Sequence, residues 1–340
     1  MHAVRTVFTF LSQTPGHTVP VNAQTGLKVP SRLAISTSPL WDVSVSGAIS
    51  GVGVASTAIS TPQFSLPLLA PPPLAHPRVH AEVGRYRLRL AQSVEDRDAA
   101  CRLRFKVFNI ELGKGLESSY ETGLDTDHFD LFCEHLLVED KTDRRIVGTY
   151  RMQSGATAAT NLGYYSQQEF DFSPYEGMRG EILELGRASI DREHRTPEVL
   201  TLLWRGIAQY ATDMQLRYLI GCSSLNSVDP REGWQMYAQL QNYRVADGFR
   251  TLPAEGFLCP GAPSEVRSDK SDKEDGSVAE AAPEPVKVPK LLKTYLAIGA
   301  RICSAPAWDR EFGTIDFLTL LDLRTISSSA RNRFLAPLAE

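Results

Sequence analysis

From about residue 83 onward, apolar and polar positions fall into two alternating rhythms. RYRLRLA (85–91) alternates with a period of two, the signature of a half-buried strand, and HLLVED (135–140) and RIVGTYRMQ (145–153) read as two antiparallel strands joined by the turn KTDR. EILELGRASID (181–191) and YLIGCSSL (218–225) are further strands, and FGTIDFLTLLDL (312–323) closes the chain in the same way. Between them the period lengthens to that of a helix. VEDRDAACRLRFKVFNIEL (94–112) places Ala99, Leu103, Val107 and Ile110 at helical spacing. PEVLTLLWRGIAQYATDMQ (197–215) is amphipathic, with Pro197 suited to a first turn, and Trp204 and Tyr210 at core spacing. DPREGWQMYAQLQNY (229–243) and PKLLKTYLAIGARICSAPAW (289–308) complete the helices. This order predicts an α/β (mixed α+β) fold, a mixed central sheet flanked by helices on both faces. No internal repeat is visible.

Three segments lack this patterning. Residues 1–82 are rich in Ser, Thr, Pro, Ala and Val and poor in charge, which predicts a disordered extension. Residues 262–286 hold seven Asp/Glu and three Lys/Arg with several prolines and no aromatics, and read as a flexible acidic insertion in a folded domain spanning 83–330. Residues 331–340 are read as a tail. The formal net charge of −4 does not favour nucleic-acid binding. Five cysteines are scattered without a CxxC pair, which argues against a zinc centre or a disulfide scaffold and fits a reducing cytoplasm. No apolar run reaches the roughly 18 residues of a spanning helix.

The candidate chemistry comes from charge on elements that otherwise look buried. Arg104 and Phe108 lie one turn apart on the first helix. Asp125, Asp127 and Asp130 precede HLLVED, Arg151 ends a strand, and Glu184 and Arg187 lie within ILELGRAS. Charge in a buried strand is costly unless paired, so residues of both signs there point to a desolvated, charge-balanced site. An ion-pair network that only pins the first helix to the sheet fits the same residues. Residues i and i+3 of a strand face opposite sides, so Glu184 and Arg187 share a face only across a bulge, which an LGR step permits.

The ordered set Arg104-x3-Phe108, Asp125-x-Asp127-x2-Asp130, Arg151 in GTYR and Glu184-x2-Arg187 resembles the autoinducer-synthase branch of the GNAT superfamily. The longer blocks RLRFKVFNIELG, GLDTDHFDLFCEHLLVED, GYYSQQEFDF, ILELGRASID, LLWRGIAQYA and GARICSAPAWDREFGTIDFLTLLD are more similar to its ornithine-lipid, hemolysin-like branch. This resemblance covers nearly all of the patterned region. It implies a GNAT-like N-acyltransferase fold and transfer of a 3-hydroxyacyl chain from acyl carrier protein to the α-amine of ornithine, giving lyso-ornithine lipid. It also implies a cytoplasmic enzyme, peripheral at the inner face of the membrane, with no permanently bound cofactor. Glu184 is then the candidate base, beside Arg187, and backbone N–H groups near Gly186 and Ala188 are candidates for the oxyanion. Tyr237 is either the acid for the leaving thiolate or a core tyrosine. Arg104, Phe108, Asp125, Asp127, Asp130 and Arg151 would face the acceptor, although some of these charges could simply pair with one another.

Acetyl-CoA-using members of that superfamily carry a glycine-rich pyrophosphate loop where this chain reads DREHRTPEV. Arg192, His194 and Arg195 there suit a single phosphate of a 4′-phosphopantetheine arm and an acidic carrier protein. The basic run VKVPKLLK, with Arg301 beyond it, suits anionic headgroups, the carrier protein or plain solvent. DTDHFD lacks the glycine and distal glutamate of a calcium loop, so no metal is expected. His128 and His135 read as structural, and Cys133 and Cys222 as buried, inert thiols. Two other readings remain: an N-acyl amino acid or acyl-homoserine-lactone type signal synthase, and a non-catalytic, hemolysin-like membrane-associated module.

Overall fold

The structure is a computed structural model and describes residues 77–262 and 285–336. Most of the expected extension and nearly all of the expected insertion at 262–286 therefore lie outside the described residues. In chain order the elements are β1 (His80–Val83), β2 (Tyr86–Leu90), α1 (Val94–Phe105), α2 (Ser119–Thr122), β3 (Glu134–Asp140), β4 (Arg145–Ser154) and α3 (Gly155–Thr160). They continue with β5 (Ile182–Ile190), α4 (Pro197–Asp213), β6 (Tyr218–Leu225), α5 (Pro230–Gln239) and α6 (Lys290–Ile298). The last are β7 (Arg301–Ile302), β8 (Ala307–Asp309), β9 (Thr314–Asp322) and α7 (Ser328–Phe334).

One mixed sheet orders the strands β1-β2-β3-β4-β5-β6-β9-β7, with β8 added on β9. Every pairing is antiparallel except β5 with β6, and the parallel pair is bridged by α4, the crossover such a pair requires. Local signals place both principal helices. Ser93 caps α1 by accepting from the Asp96 N–H, and Thr196 caps α4 by accepting from the Val199 N–H with Pro197 in the first turn.

Strand alternation then sorts side chains between the faces. Leu136, Val138, Tyr150 and Met152 pack with Val199, Leu203, Trp204 and Ile207 of α4. The helix lies close because Gly206 has no side chain: a Cβ there would stand 2.8 Å from Leu88. His135 and Arg151, paired in register, face the other way.

Several expectations shift. β1 extends the fold back to His80, within the stretch expected to be an extension, and α7 runs four residues into the expected tail to bury Phe334 against Trp204. The first helix passes into a π-helical segment, Lys106–Glu111. The wider turn carries Ile110 off the buried face, leaving it 62% exposed, and buries Asn109 instead. The last predicted helix stops at Ile298, where Gly299 has φ +121°, and two short strands precede β9.

Candidate active site

The parallel pair β5–β6 is short. It holds register only at Ile182↔Tyr218, Leu183↔Leu219 and Glu184↔Ile220. Beyond Glu184 the strands part, so the β5 edge there has backbone groups without a β6 ladder partner. The parting point depends on Gly221, where an added Cβ would stand 2.2 Å from the Leu185 carbonyl oxygen. Around this opening lies a cavity of about 320 Å³. One arm is apolar, lined by Trp204, Leu219, Leu292, Tyr295 and Leu321. The Tyr150 and Tyr295 hydroxyls meet there at 2.6 Å, so that arm holds little free polarity. The other arm is polar and holds Arg151, Tyr165, Ser166, Glu169, Glu184, Arg187, Asp309 and Asp316 beside Phe108 and Phe312. Gly186 and Ala188 line the opening between the arms.

The bulge expected at the LGR step is present. Register slips between Thr149↔Ser189 and Arg151↔Gly186, and Arg187 takes φ +51°. This brings Glu184 and Arg187 to opposite sides of Tyr165: its backbone N–H donates to Glu184 at 2.8 Å, and the Arg187 guanidinium stacks 5.3 Å from its ring. The two charges have no ion pair with each other. Glu184 takes two hydrogen bonds on Oε1, from the Ser166 N–H (2.7 Å) and hydroxyl (2.6 Å), and one on Oε2 from Tyr165. Burial raises its pKa above the usual carboxylate range, although the Ser166 and Tyr165 hydrogen bonds and the Arg151 charge pull it down.

The other candidates around Arg104 form a closed lattice behind the cavity wall. Arg104, fully buried, donates to Asp125 (2.8 Å) and through two nitrogens to Asp130 (2.6 and 2.9 Å). Asp127 caps the turn His128–Leu131 and joins Arg151 (2.5 Å) to Arg187 (2.9 Å). Three aspartates thus balance three arginines. The expectation that all of them face the acceptor is corrected: Arg151, Arg187 and Phe108 reach the cavity, whereas Arg104, Asp125, Asp127 and Asp130 do not line it. Buried charges in contact satisfy one another before they satisfy a ligand. His135 packs beside Asp130, and burial pushes its pKa down to about 4, in keeping with a neutral structural histidine. Burial likewise pushes Cys133 up to about 12 and Cys222 well above the usual thiol range, so neither is a ready thiolate.

The loop expected to hold the donor phosphate is also changed. His194 is buried with Nδ1 3.1 Å from the Tyr86 hydroxyl, and Arg195 is paired with Glu111, leaving only Arg192 of the three exposed. Tyr237 lies on α5 away from the cavity, edge-on to Trp234 and covered by the Arg244 guanidinium at 3.8 Å. Tyr237→Phe should therefore change kcat/KM less than about twofold, against the roughly 10²-fold or greater loss expected for a general acid, as steady-state kinetics would read.

Sequence reasoning missed Glu169, Asp309 and Asp316. Their carboxylate oxygens lie within 4.8 Å of one another, all three residues are buried, and all line the polar arm. Burial first, then repulsion from Asp316 and Asp309, pushes Glu169 well above its usual range; burial, with repulsion from Asp309, pushes Asp316 up to about 6 against hydrogen bonds with Ser224, Thr314 and Glu169. The signal was present in TIDFLTLLD, where Asp316 is a lone charge in an otherwise apolar strand interior.

A family profile described as Acetyltransferase (GNAT) domain matches residues 103–205. The L-ornithine N(alpha)-acyltransferase of Brucella abortus is 33% identical over 257 residues, covering 72% of this chain and 87% of that one. Its namesake in Rhodobacter capsulatus is 31% identical, covering 72% and 93% of the two chains. That of Agrobacterium fabrum is 32% identical, covering 72% and 83%.

Proposed function

This chain belongs to the L-ornithine N(alpha)-acyltransferase family and is an acyltransferase with a GNAT domain, and from that premise we propose that it acylates the α-amine of L-ornithine with a 3-hydroxyacyl chain delivered by acyl carrier protein. The product is lyso-ornithine lipid. The observation that carries this reading is the two-armed cavity at the β5–β6 opening. A fatty chain suits the apolar arm, an amino acid suits the polar arm, and the thioester carbonyl lies where they meet.

In this mechanism the α-ammonium gives a proton to Glu184. An ionised carboxylate has about four acceptor positions. Three are used here, so Oε2 retains one for the incoming amine. The free amine attacks the thioester carbonyl, forming the C–N bond. The oxyanion rests on backbone N–H groups of β5 near Gly186 and Ala188, where the ladder to β6 has ended. Collapse breaks the C–S bond, the nitrogen gives up its second proton to form the amide, and that proton leaves on the thiolate sulfur. Arg187 lines the polar arm with Nη2 on Asp127 and Nε 3.9 Å from Asp125, and its remaining guanidinium donors suit the acceptor's carboxylate.

A carrier-protein donor is favoured by the turn before α4. Its N–H groups are already used: Glu193 donates to the Asp191 carboxylate, His194 to the Asp191 carbonyl and Val199 to Thr196. A pyrophosphate would meet few free donors there, because the Asp191 carboxylate, itself paired with Lys106, already occupies the head of the turn. Exposed Arg192 remains to meet an acidic carrier. No described helix is long and apolar enough to cross a membrane. Lys287, Lys290 and Lys293 are exposed beside Leu291 and Leu292, which line the apolar arm, so this side suits a peripheral approach to anionic headgroups.

Lipid mass spectrometry tests the reading. Expression in a bacterium that makes no ornithine lipid should yield a new 3-hydroxyacyl-ornithine mass. A different acylated amino acid would point to a signal synthase, and a folded protein with no acylated product would remove the enzymatic proposal.

A further inference from the structure

Glu169, Asp309 and Asp316 form a buried carboxyl cluster for which the chain supplies no cation among the described residues. Glu169 follows the turn Tyr165–Gln168, Asp309 ends β8, and Asp316 lies on β9 opposite Ser224 of β6. None of the three has an ion-pair partner among the described residues. Their support is local and neutral: the Cys222 thiol stands 3.6 Å from Glu169, the Phe312 N–H donates to Asp309 at 2.8 Å, and Asp316 is hydrogen-bonded to Ser224, to Thr314 at 3.4 Å and to Glu169. Asp316 is 4% exposed and its Oδ1 has no hydrogen-bond partner at all. Of the guanidinium groups that line the same cavity, Arg151 and Arg187 already bond Asp127.

A buried carboxylate without a partner is expensive, and three together are more so. The lattice around Arg104 shows the contrast, because there every aspartate meets an arginine. The pocket also connects directly to Glu184. Ser166, which donates to Glu184, lies 3.5 Å from the Cys222 thiol, and that thiol lies 3.6 Å from Glu169. Glu184 and the three carboxyl groups line one cavity, so an acceptor whose α-amine sits at Glu184 shares that cavity with the cluster.

We propose that Glu169, Asp309 and Asp316 bind the side-chain ammonium of the acceptor and so select a diamino acid over a monoamine of the same length. This rests on the acyltransfer reading above and names the part of the site that sets acceptor choice. An ammonium offers three N–H donors, one for each carboxylate. The lattice aspartates are occupied and do not compete for it. A site built around a buried polar group rejects an analogue lacking the matching partner far more strongly than an apolar pocket rejects a missing methylene.

The test compares ornithine with norvaline, the same amino acid without the terminal amine. Binding to the full chain is measured by calorimetry, and kcat/KM with a 3-hydroxyacyl carrier protein as donor. The wild type should favour ornithine by about 100-fold or more. Asp316→Asn and, separately, Glu169→Gln should each reduce that preference at least about tenfold, in variants whose melting temperature confirms a folded chain. If both variants weaken the two acceptors equally, the carboxylates are structural and the proposal fails. It fails too if Mn²⁺ binds stoichiometrically, is lost in Asp316→Asn, and leaves the ornithine preference unmoved, which would make the cluster a metal site. A wild type that acylates ornithine and norvaline alike sinks the pocket and spares the acyltransfer reading. A wild type that binds ornithine selectively yet acylates neither does the reverse.

Discussion

Glu184→Gln is expected to lower kcat by about 10²–10⁴-fold, the share a positioned base contributes to proton transfer. The substitution keeps the volume of the side chain and removes its charge. It also turns an amide nitrogen toward donors, because Ser166 and Tyr165 present N–H and O–H groups to both oxygens. Glu184→Asp separates the two effects: it keeps the charge and shortens the reach, so it should retain more activity than the glutamine variant. The pH profile carries an independent signature. A base works when ionised, and burial raises the Glu184 pKa, so the acid limb of kcat should lie nearer neutrality than for an ordinary glutamate. Activity should rise with pH across that limb, and the limb should vanish in Glu184→Gln. A glutamine variant with wild-type turnover and an unchanged profile would remove Glu184 from the chemistry.

Arg104→Met should destabilise the fold by about 3–5 kcal/mol, because it leaves Asp125 and Asp130 buried without their main counter-charge. Urea unfolding reads the loss directly. Acid titration of stability gives a second check. Burial alone would raise the pKa values of Asp127 and Asp130, but the hydrogen bond from Arg104 and the charges of Arg104, Arg151 and Arg187 outweigh it and hold both below the ordinary range. Carboxylates depressed in the fold stabilise it fully above about pH 4, where the unfolded aspartates are ionised, and that contribution is lost as pH falls further. In Arg104→Met only Arg151 remains to hold Asp130 ionised, so its contribution shrinks and stability should fall less steeply on acidification from its lower starting point. A variant with wild-type stability would show that the lattice contributes little to folding.

Local patterning made much of this protein legible. The alternation in RIVGTYRMQ and ILELGRASID, and the cap and proline at the head of α4, act over a few residues, so they could be read before any contact was known. The bulge at Arg187 was legible as a possibility the LGR step permits, since two charges three residues apart in a buried strand share a face only across one. The same rule would have caught Asp316 in TIDFLTLLD. It was passed over because Asp316 has no partner nearby in sequence to make it look like a pair. Ile110 shows a different failure: a π-helical turn changes the period that the spacing argument assumes.

The sequence by itself determined the order of the principal strands and helices, the mixed sheet, the family and the presence of a charge-rich site. Only the tertiary structure decided how those charges are shared. Arg104, Asp125 and Asp130 neutralise one another within one neighbourhood of the chain, and His194 and Arg195 are drawn into packing and pairing. Asp309 and Asp316 meet through the pairing of β8 with β9, and the turn after α3 brings Glu169 to them from a distant part of the chain. The physical reason is that local propensities act along the chain, whereas electrostatics and desolvation act through space. Whether a carboxylate is already satisfied or still awaits a ligand depends on which distant elements close around it.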